Sequence, residues 1–152
     1  MRPKHRLTAK VRSFETDVRD RLRVQVLCKL LQEAATVHAA ELGVSVESLI
    51  DGGAAWVLTR LQLTMDRWPR SGETVVIETW PEALDRLISE RRFNIEDATG
   101  KVIGSATTLW LVLDLARRRP VRIPVAVVEA LKRRGLGDRP ARPAAIDAPE
   151  DL

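Results

Sequence analysis

The chain has 152 residues, enough for one domain with its own core, and its makeup is that of a globular protein, 45% hydrophobic and 30% charged. A net charge of +4, with 21 acidic residues interspersed among 25 basic ones, is too mixed to argue for a nucleic-acid binder. A single cysteine, Cys28, excludes an internal disulfide framework and points to reducing, cytoplasmic surroundings; no apolar run would span a bilayer, and residues 1–10 lack a signal peptide's apolar centre.

Residues 6–17 alternate loosely and end in a polar run, the pattern of a first strand leading into a charged loop over 18–23. Residues 24–44 carry two adjacent apolar stripes, Leu27, Leu30, Ala34 and Val37 beside Leu31, Ala35, His38 and Leu42. That spacing predicts a long helix buried on most of its surface, closed by Gly43. Residues 46–50 add a helical turn before Asp51-Gly52-Gly53. Residues 55–67 alternate, with Val57, Leu61, Leu63 and Met65 facing one way and Arg60, Gln62 and Thr64 the other, as in a strand with one dry side. After a turn at 68–72, residues 74–80 form a strand halted by Pro81, and 87–97 form the next, ending in a tight turn at 98–101. Residues 102–115 are the longest strand, with Ile103, Leu109, Leu111 and Leu113 on one face. Gly104, Ser105 and Ala106 are small where that strand must pass something bulky, for which the buried helix is the candidate. Residues 124–134 are a short amphipathic helix with proline at its start, and 135–152, rich in Pro, Ala and Asp, are expected to be a flexible tail.

A strand, a long helix and four strands at hairpin spacing give an α+β domain over residues 1–134, in which an antiparallel sheet of about five strands wraps one central helix. This is the hotdog arrangement. One helix cannot cover both the sheet and its edges, so a homodimer or a dimer of dimers is expected.

Several segments, in order and without large gaps, resemble the acyl-acyl-carrier-protein thioesterases. They are Val11-Arg12-Ser13-Phe14-Glu15, Leu31-Gln32-Glu33-Ala34-Ala35 with His38, Trp56-Val57-Leu58-Thr59-Arg60, Glu78-Thr79-Trp80-Pro81, Arg92-Phe93, and Trp110-Leu111-Val112-Leu113-Asp114 followed by Arg118-Arg119-Pro120. The resemblance covers roughly residues 11–124 and implies hydrolysis of an acyl thioester carried on phosphopantetheine, by acyl carrier protein or coenzyme A. That group is part of the substrate, and no other cofactor is implied. The plant-type members hold two hotdog units in one chain, and this sequence resembles the first. In those members the catalytic Asp-Asn-His group belongs to the second unit, and residues 24–44 here do not reproduce the Asn-His pairing. The chemistry is then found elsewhere, across a dimer seam, or is absent.

Thioester hydrolysis needs an activated water or a carboxylate nucleophile, and donors for the developing oxyanion. The unpaired amides at the start of the long helix, around Val24, Gln25 and Val26, are candidate donors. Asp17 is the leading acid, because Phe14-Glu15-Thr16-Asp17 is similar to the aspartate motif of the hydroxybenzoyl-thioesterase branch; the glycine expected three residues later is Asp20. The alternative for Asp17 is a cap on the helix entry. Glu33 is a second candidate base or nucleophile, or else a solvent-facing residue, and Gln32 could orient a water or a carbonyl. His38 lies on an apolar stripe, where a core histidine competes with a catalyst, and helix geometry turns it away from Glu33. Trp56, Trp80 and Trp110 could line an acyl tunnel or pack in the core. Arg60, Arg118 and Arg119, with the basic run at 132–134, could meet acidic or phosphate groups of a carrier. No zinc-ligand spacing, phosphate-binding loop or dinucleotide fingerprint is present, so no metal is expected. Two rival readings stay open: a hotdog that binds acyl groups or docks a partner without catalysis, and a dehydratase or hydratase using His38.

Overall fold

The computed structural model describes residues 3–140. In chain order it runs β1 (His5–Lys10), a 3-10 turn (Ser13–Glu15), α1 (Val24–Glu41), α2 (Val46–Asp51), β2 (Ala54–Met65), β3 (Thr74–Leu84), β4 (Ser89–Glu96), β5 (Val102–Asp114), β6 (Arg119–Val121) and α3 (Val125–Lys132). All named strand pairs are antiparallel, in the order β1-β3-β4-β5-β2, with β6 added to the far end of β5. α1 lies across β3 and β1, giving the helix-wrapped sheet that the sequence predicts. Among the described residues no helix is long and apolar enough to cross a membrane.

α1 buries Leu27, Leu31, Ala34, Ala35 and His38 and exposes Gln25, Lys29, Gln32, Glu33, Thr36 and Ala40. It is therefore amphipathic rather than buried nearly all round: the stripe of Leu31, Ala35, His38 and Leu42 is buried throughout, whereas Leu30 and Val37 of the other are only half covered because one sheet lies against the helix. Its end is a Schellman closure. Gly43, at φ +77°, donates to the Ala40 carbonyl, and the Val44 amide donates back to Ala39. The turn brings Val44 down onto Ala39, beside the core. Ser45 then caps α2, its Oγ accepting the Ser48 amide at 3.2 Å.

Strand register accounts for most differences from the sequence reading. The first strand stops at Lys10, and residues 11–23 form the 3-10 turn and a small hairpin closed by a Thr16–Leu22 bridge. In β2 an extra residue at Thr59 shifts the pairing from Leu58–Trp110 to Arg60–Leu109. That bulge reverses which side chains face the helix, so Val57 is exposed while Leu61, Leu63 and Met65 pack on the core. Pro81 does not halt β3. β1 pairs only as far as Thr79 and Gly137 joins only at Ala83, so at Pro81 β3 has a free edge, where a missing N–H costs nothing, and a bulge follows at Glu82. On β5 the helix side is Ala106, Thr108, Trp110 and Val112; Leu109, Leu111 and Leu113 alternate to the outer face, and Ile103 reaches the core as an extra residue opposite β4. β6 was not expected. Arg118, at φ +54°, turns the chain back for its three residues.

Gly104 is small because of β2 and not because of the helix: a Cβ there would collide with the Met65 sulfur and lie 2.9 Å from the Thr64 carbonyl oxygen. Ser105 is exposed, and Ala106 is the one of the three that packs in the helix-covered core. At the other end, Leu136 is buried and Gly137 exchanges backbone hydrogen bonds with Glu82 and Leu84, so the segment expected to be a tail from residue 135 begins engaged with β3; residues 141–152 of that segment lie outside the described residues. Gly104→Ala should lower the unfolding free energy by about 1–3 kcal/mol, measured by urea denaturation, because the backbone oxygen cannot give way. Ser105→Ala, on the exposed side, should shift it by no more than about 0.5 kcal/mol.

Candidate functional site

Two apolar clusters fill the space under α1. One gathers Leu27, Leu31, Ala34, Phe93 and Ile95; the other gathers Leu42, Val44, Leu84, Val112 and Leu131. Four elements place a buried polar residue beside these clusters: His38 on α1, Thr79 on β3, Arg91 on β4 and Thr108 on β5. All four are at least nine-tenths buried, and together they form one hydrogen-bonded belt. Arg91 Nη1 donates to His38 Nδ1 at 3.0 Å and to Thr79 Oγ1 at 3.1 Å. Thr79 Oγ1 donates to the Arg92 carbonyl, Thr108 Oγ1 to the Arg91 carbonyl, and Trp110 Nε1 to Thr108 Oγ1.

An arginine only donates, so His38 Nδ1 must accept and the imidazole proton must sit on Nε2. Burial, then the nearby Arg91 charge, lowers the His38 pKa to about 4. His38 is therefore neutral at neutral pH, with its basic nitrogen already occupied, and its ring stacks on His5 at 5.7 Å between centroids. That arrangement suits a core anchor better than a proton shuttle. Burial also lowers the Arg91 pKa, to about 10, and the guanidinium stays charged.

Beside the belt, between α1 and the sheet, lies a cavity of about 550 Å³ counting its open mouth. Ala35 and Ala39 form its helix wall, Trp56 and Trp110 its sheet wall, and Leu131 of α3 and Val44 its end; Arg91 is its charged lining group. Small residues on α1 leave the space, and the Schellman turn and α3 close it. Its mostly apolar lining with one charged group is that of a small-molecule site.

The residues proposed for chemistry do not converge on this cavity. Asp17 sits at the tip of the small hairpin, where its carboxylate accepts the Arg19 and Arg21 amides at 2.9 and 3.0 Å and the Arg21 guanidinium at 3.0 and 3.2 Å. The Arg21 backbone N–H is the main cause holding its pKa below the usual aspartate value, so it is a carboxylate at neutral pH. Asp20 adopts φ +56°, the left-handed conformation that the glycine of the similar motif would supply, and its side chain accepts the Ser71 amide. At the start of α1, Arg23 caps the helix without a side-chain bond; the Val26 amide already donates to the Arg23 carbonyl, leaving Val24 and Gln25 as the available donors. Gln32 and Glu33 are both exposed on the outer face of α1. Trp56 and Trp110 line the cavity, whereas Trp80 is on the opposite face of the sheet, bonded through Nε1 to Glu82 and covered by the Lys4 ammonium. Arg60 is half-buried on β2, and Arg118 and Arg119 are exposed beyond β5.

Arg91 was missed from sequence. The signal was present: in Ser89-Glu90-Arg91-Arg92-Phe93-Asn94-Ile95, alternation puts Arg91 on the same face as Phe93 and Ile95.

The family model for the acyl-ACP thioesterase N-terminal domain matches residues 3–131. The chain is 32% identical over 124 residues to oleoyl-acyl carrier protein thioesterase 2 of Arabidopsis thaliana, covering 74% of this chain and 33% of that protein. It is 28% identical over 124 residues to a palmitoyl-acyl carrier protein thioesterase of Gossypium hirsutum, covering 77% and 30%. Among solved structures, an acyl-ACP thioesterase from Bacteroides thetaiotaomicron aligns at TM-score 0.83 and 28% identity, over 98% of this chain and 60% of that one. A DHNA-CoA thioesterase from Staphylococcus aureus, at TM-score 0.80 and 20% identity, shares the fold. The chain thus spans about a third of the length of the curated relatives it matches.

The belt has a pH signature. His38 holds its proton less tightly folded, at about 4, than unfolded, near 6.5, so its stabilisation is complete above pH 6.5 and is lost as pH falls towards 4. Between pH 6.5 and 5, above the range where the carboxylates take up most of their protons, His38 should cost about 1–2 kcal/mol of unfolding free energy. Denaturant titrations across that window should show the slope in the native chain and a reduced one in His38→Gln.

Proposed function

Because this chain belongs to the acyl-ACP thioesterase family, through its N-terminal domain, we propose that it takes part in hydrolysing acyl thioesters of acyl carrier protein or coenzyme A, with the acyl chain in the cavity between α1 and the sheet. The substrate brings its own phosphopantetheine, and the reaction uses no further cofactor or metal. The setting is cytoplasmic, and the pathway is fatty acid biosynthesis. The exposed Arg117, Arg118, Arg119 and Arg122 around β6 are suited to the acidic surface of a carrier protein or to phosphate groups.

One distance shapes the mechanism. Thr36, on the helix wall of the cavity, is twelve residues beyond Val24, about 18 Å along α1 at 1.5 Å per residue. Leu27, Leu31 and Ala34, all almost fully buried, fill the interval. A single chain's helix start and Asp17 therefore do not reach a thioester at its own cavity. A second hotdog unit would supply them, in a homodimer that places one copy's Asp17, Val24 and Gln25 at the other's cavity mouth. Two features support that assembly: β2 has a twelve-residue outer edge with no partner strand among the described residues, and Phe14, Val18 and Val24 stand exposed around Asp17. There the ionised Asp17 would activate water or attack the thioester carbonyl, and the two amides would hold the oxyanion.

The fully engaged Asp17 carboxylate favours a second reading, in which this unit holds the acyl chain and the hydrolysing groups belong to another unit altogether. Mixed dimers separate the two. Asp17→Ala and the cavity-blocking Ala39→Trp should each lower kcat/KM at least about 100-fold. Mixed and reassociated, they should recover about a quarter of native activity, because half the dimers regain one complete site. No recovery, with native protein active, places the groups in one chain; native protein that folds and binds acyl thioesters without turnover supports the acyl-holding reading.

A further inference from the structure

The buried charge of Arg91 has no counterpart in a neutral acyl chain. Its Nη1 donors are spent on His38 and Thr79, and no carboxylate among the described residues pairs with the guanidinium. Nε and Nη2 make no hydrogen bond within the described residues, yet neither is sealed off: no side-chain nitrogen or oxygen buried from solvent lacks a partner. The residue is 8% exposed, and the cavity it lines accounts for that opening. The free donors are the side-on pair of the guanidinium, parallel N–H groups spaced to bind both oxygens of one carboxylate. The His38 and Thr79 bonds hold the fork's other corner, so its plane is fixed before a ligand arrives. An uncompensated buried cation is costly, and nothing in the packing of the two apolar clusters requires one there.

We propose that this cavity recognises an apolar chain bearing a carboxylate, with the chain between Trp56 and Trp110 and the carboxylate bidentate on Arg91 Nε and Nη2. Two sources share that chemistry. One is a free fatty acid, the product of the proposed hydrolysis, held by its head group. The other is an acyl thioester whose distal end is itself a carboxylate. The inference rests on the acyl-cavity reading but requires no turnover, so it is tested at equilibrium.

The test is calorimetric titration of the full chain with octanoate against methyl octanoate, and with the non-hydrolysable thioether analogues of suberyl- and octanoyl-pantetheine. At least one charged ligand should bind about tenfold or more tightly than its neutral counterpart. A gain for octanoate assigns the free acid, and a gain for the suberyl compound assigns the distal carboxylate. The gain should vanish in Arg91→Met and fall to an intermediate value in Arg91→Lys, which keeps the charge without the fork; circular dichroism checks that both are folded. Equal binding of charged and neutral ligands by the native chain, or no binding of either, overturns the inference without reference to any variant. A gain that survives in folded Arg91→Met also overturns it, because the charge is then read elsewhere. A protein that hydrolyses octanoyl thioesters while ignoring the carboxylate loses only this inference; one that binds octanoate through Arg91 without turnover loses only the hydrolytic reading.

Discussion

The constraint on which the rest depends is that a curved antiparallel sheet must bury its inner face, and the chain offers it one long helix. α1 meets that demand with Leu27, Leu31, Ala34 and Ala35 against Ile77, Phe93 and Ile95. Its second half cannot do the same, because small residues there leave a cavity that α3, Val44 and two tryptophans enclose without filling. The solid half fixes the helix on the sheet, and the hollow half is where a ligand has room. The stable part and the useful part of the core are successive turns of one helix.

Between them lies the polar belt, which has two effects on function. It ties α1 to β3 through one guanidinium, so the cavity wall is held by directional bonds as well as by packing. It also withdraws His38 from proton chemistry, since Arg91 occupies the nitrogen a base would use. A histidine on the central helix is an attractive catalyst by residue type alone. Its partners assign it instead to holding Arg91 in place.

Legibility from sequence follows the range of the interaction. The start of α1 at Val24, its closure at Gly43, the turn at 98–101 and the proline-led α3 were readable because caps and turns are set by a few adjacent residues. The bulges at Thr59, Glu82 and Ile103 were not, because an extra residue is defined only by what the neighbouring strand pairs with. A bulge reverses a face, so Val57 came out exposed and Ile103 parted from Leu109, Leu111 and Leu113 although their strands were correctly placed. The site was less legible than the fold. Trp56 and Trp110 were found as lining residues, but Trp80, with the same motif-like look, faces outward because β3 alternates the other way. Arg91 was hidden by its charge: alternation points it inward, and residue type argues against burial.

The central claim is that the acyl chain occupies the cavity between α1 and the sheet, and fluorescence quenching by a bromine-labelled acyl-pantetheine analogue tests it most directly. The protein has four tryptophans, and single-tryptophan variants can report each in turn. The account predicts strong, saturable quenching of Trp56 and Trp110 and none of Trp80 on the far side of the sheet. Quenching of Trp80, or of all positions equally without saturation, would contradict it.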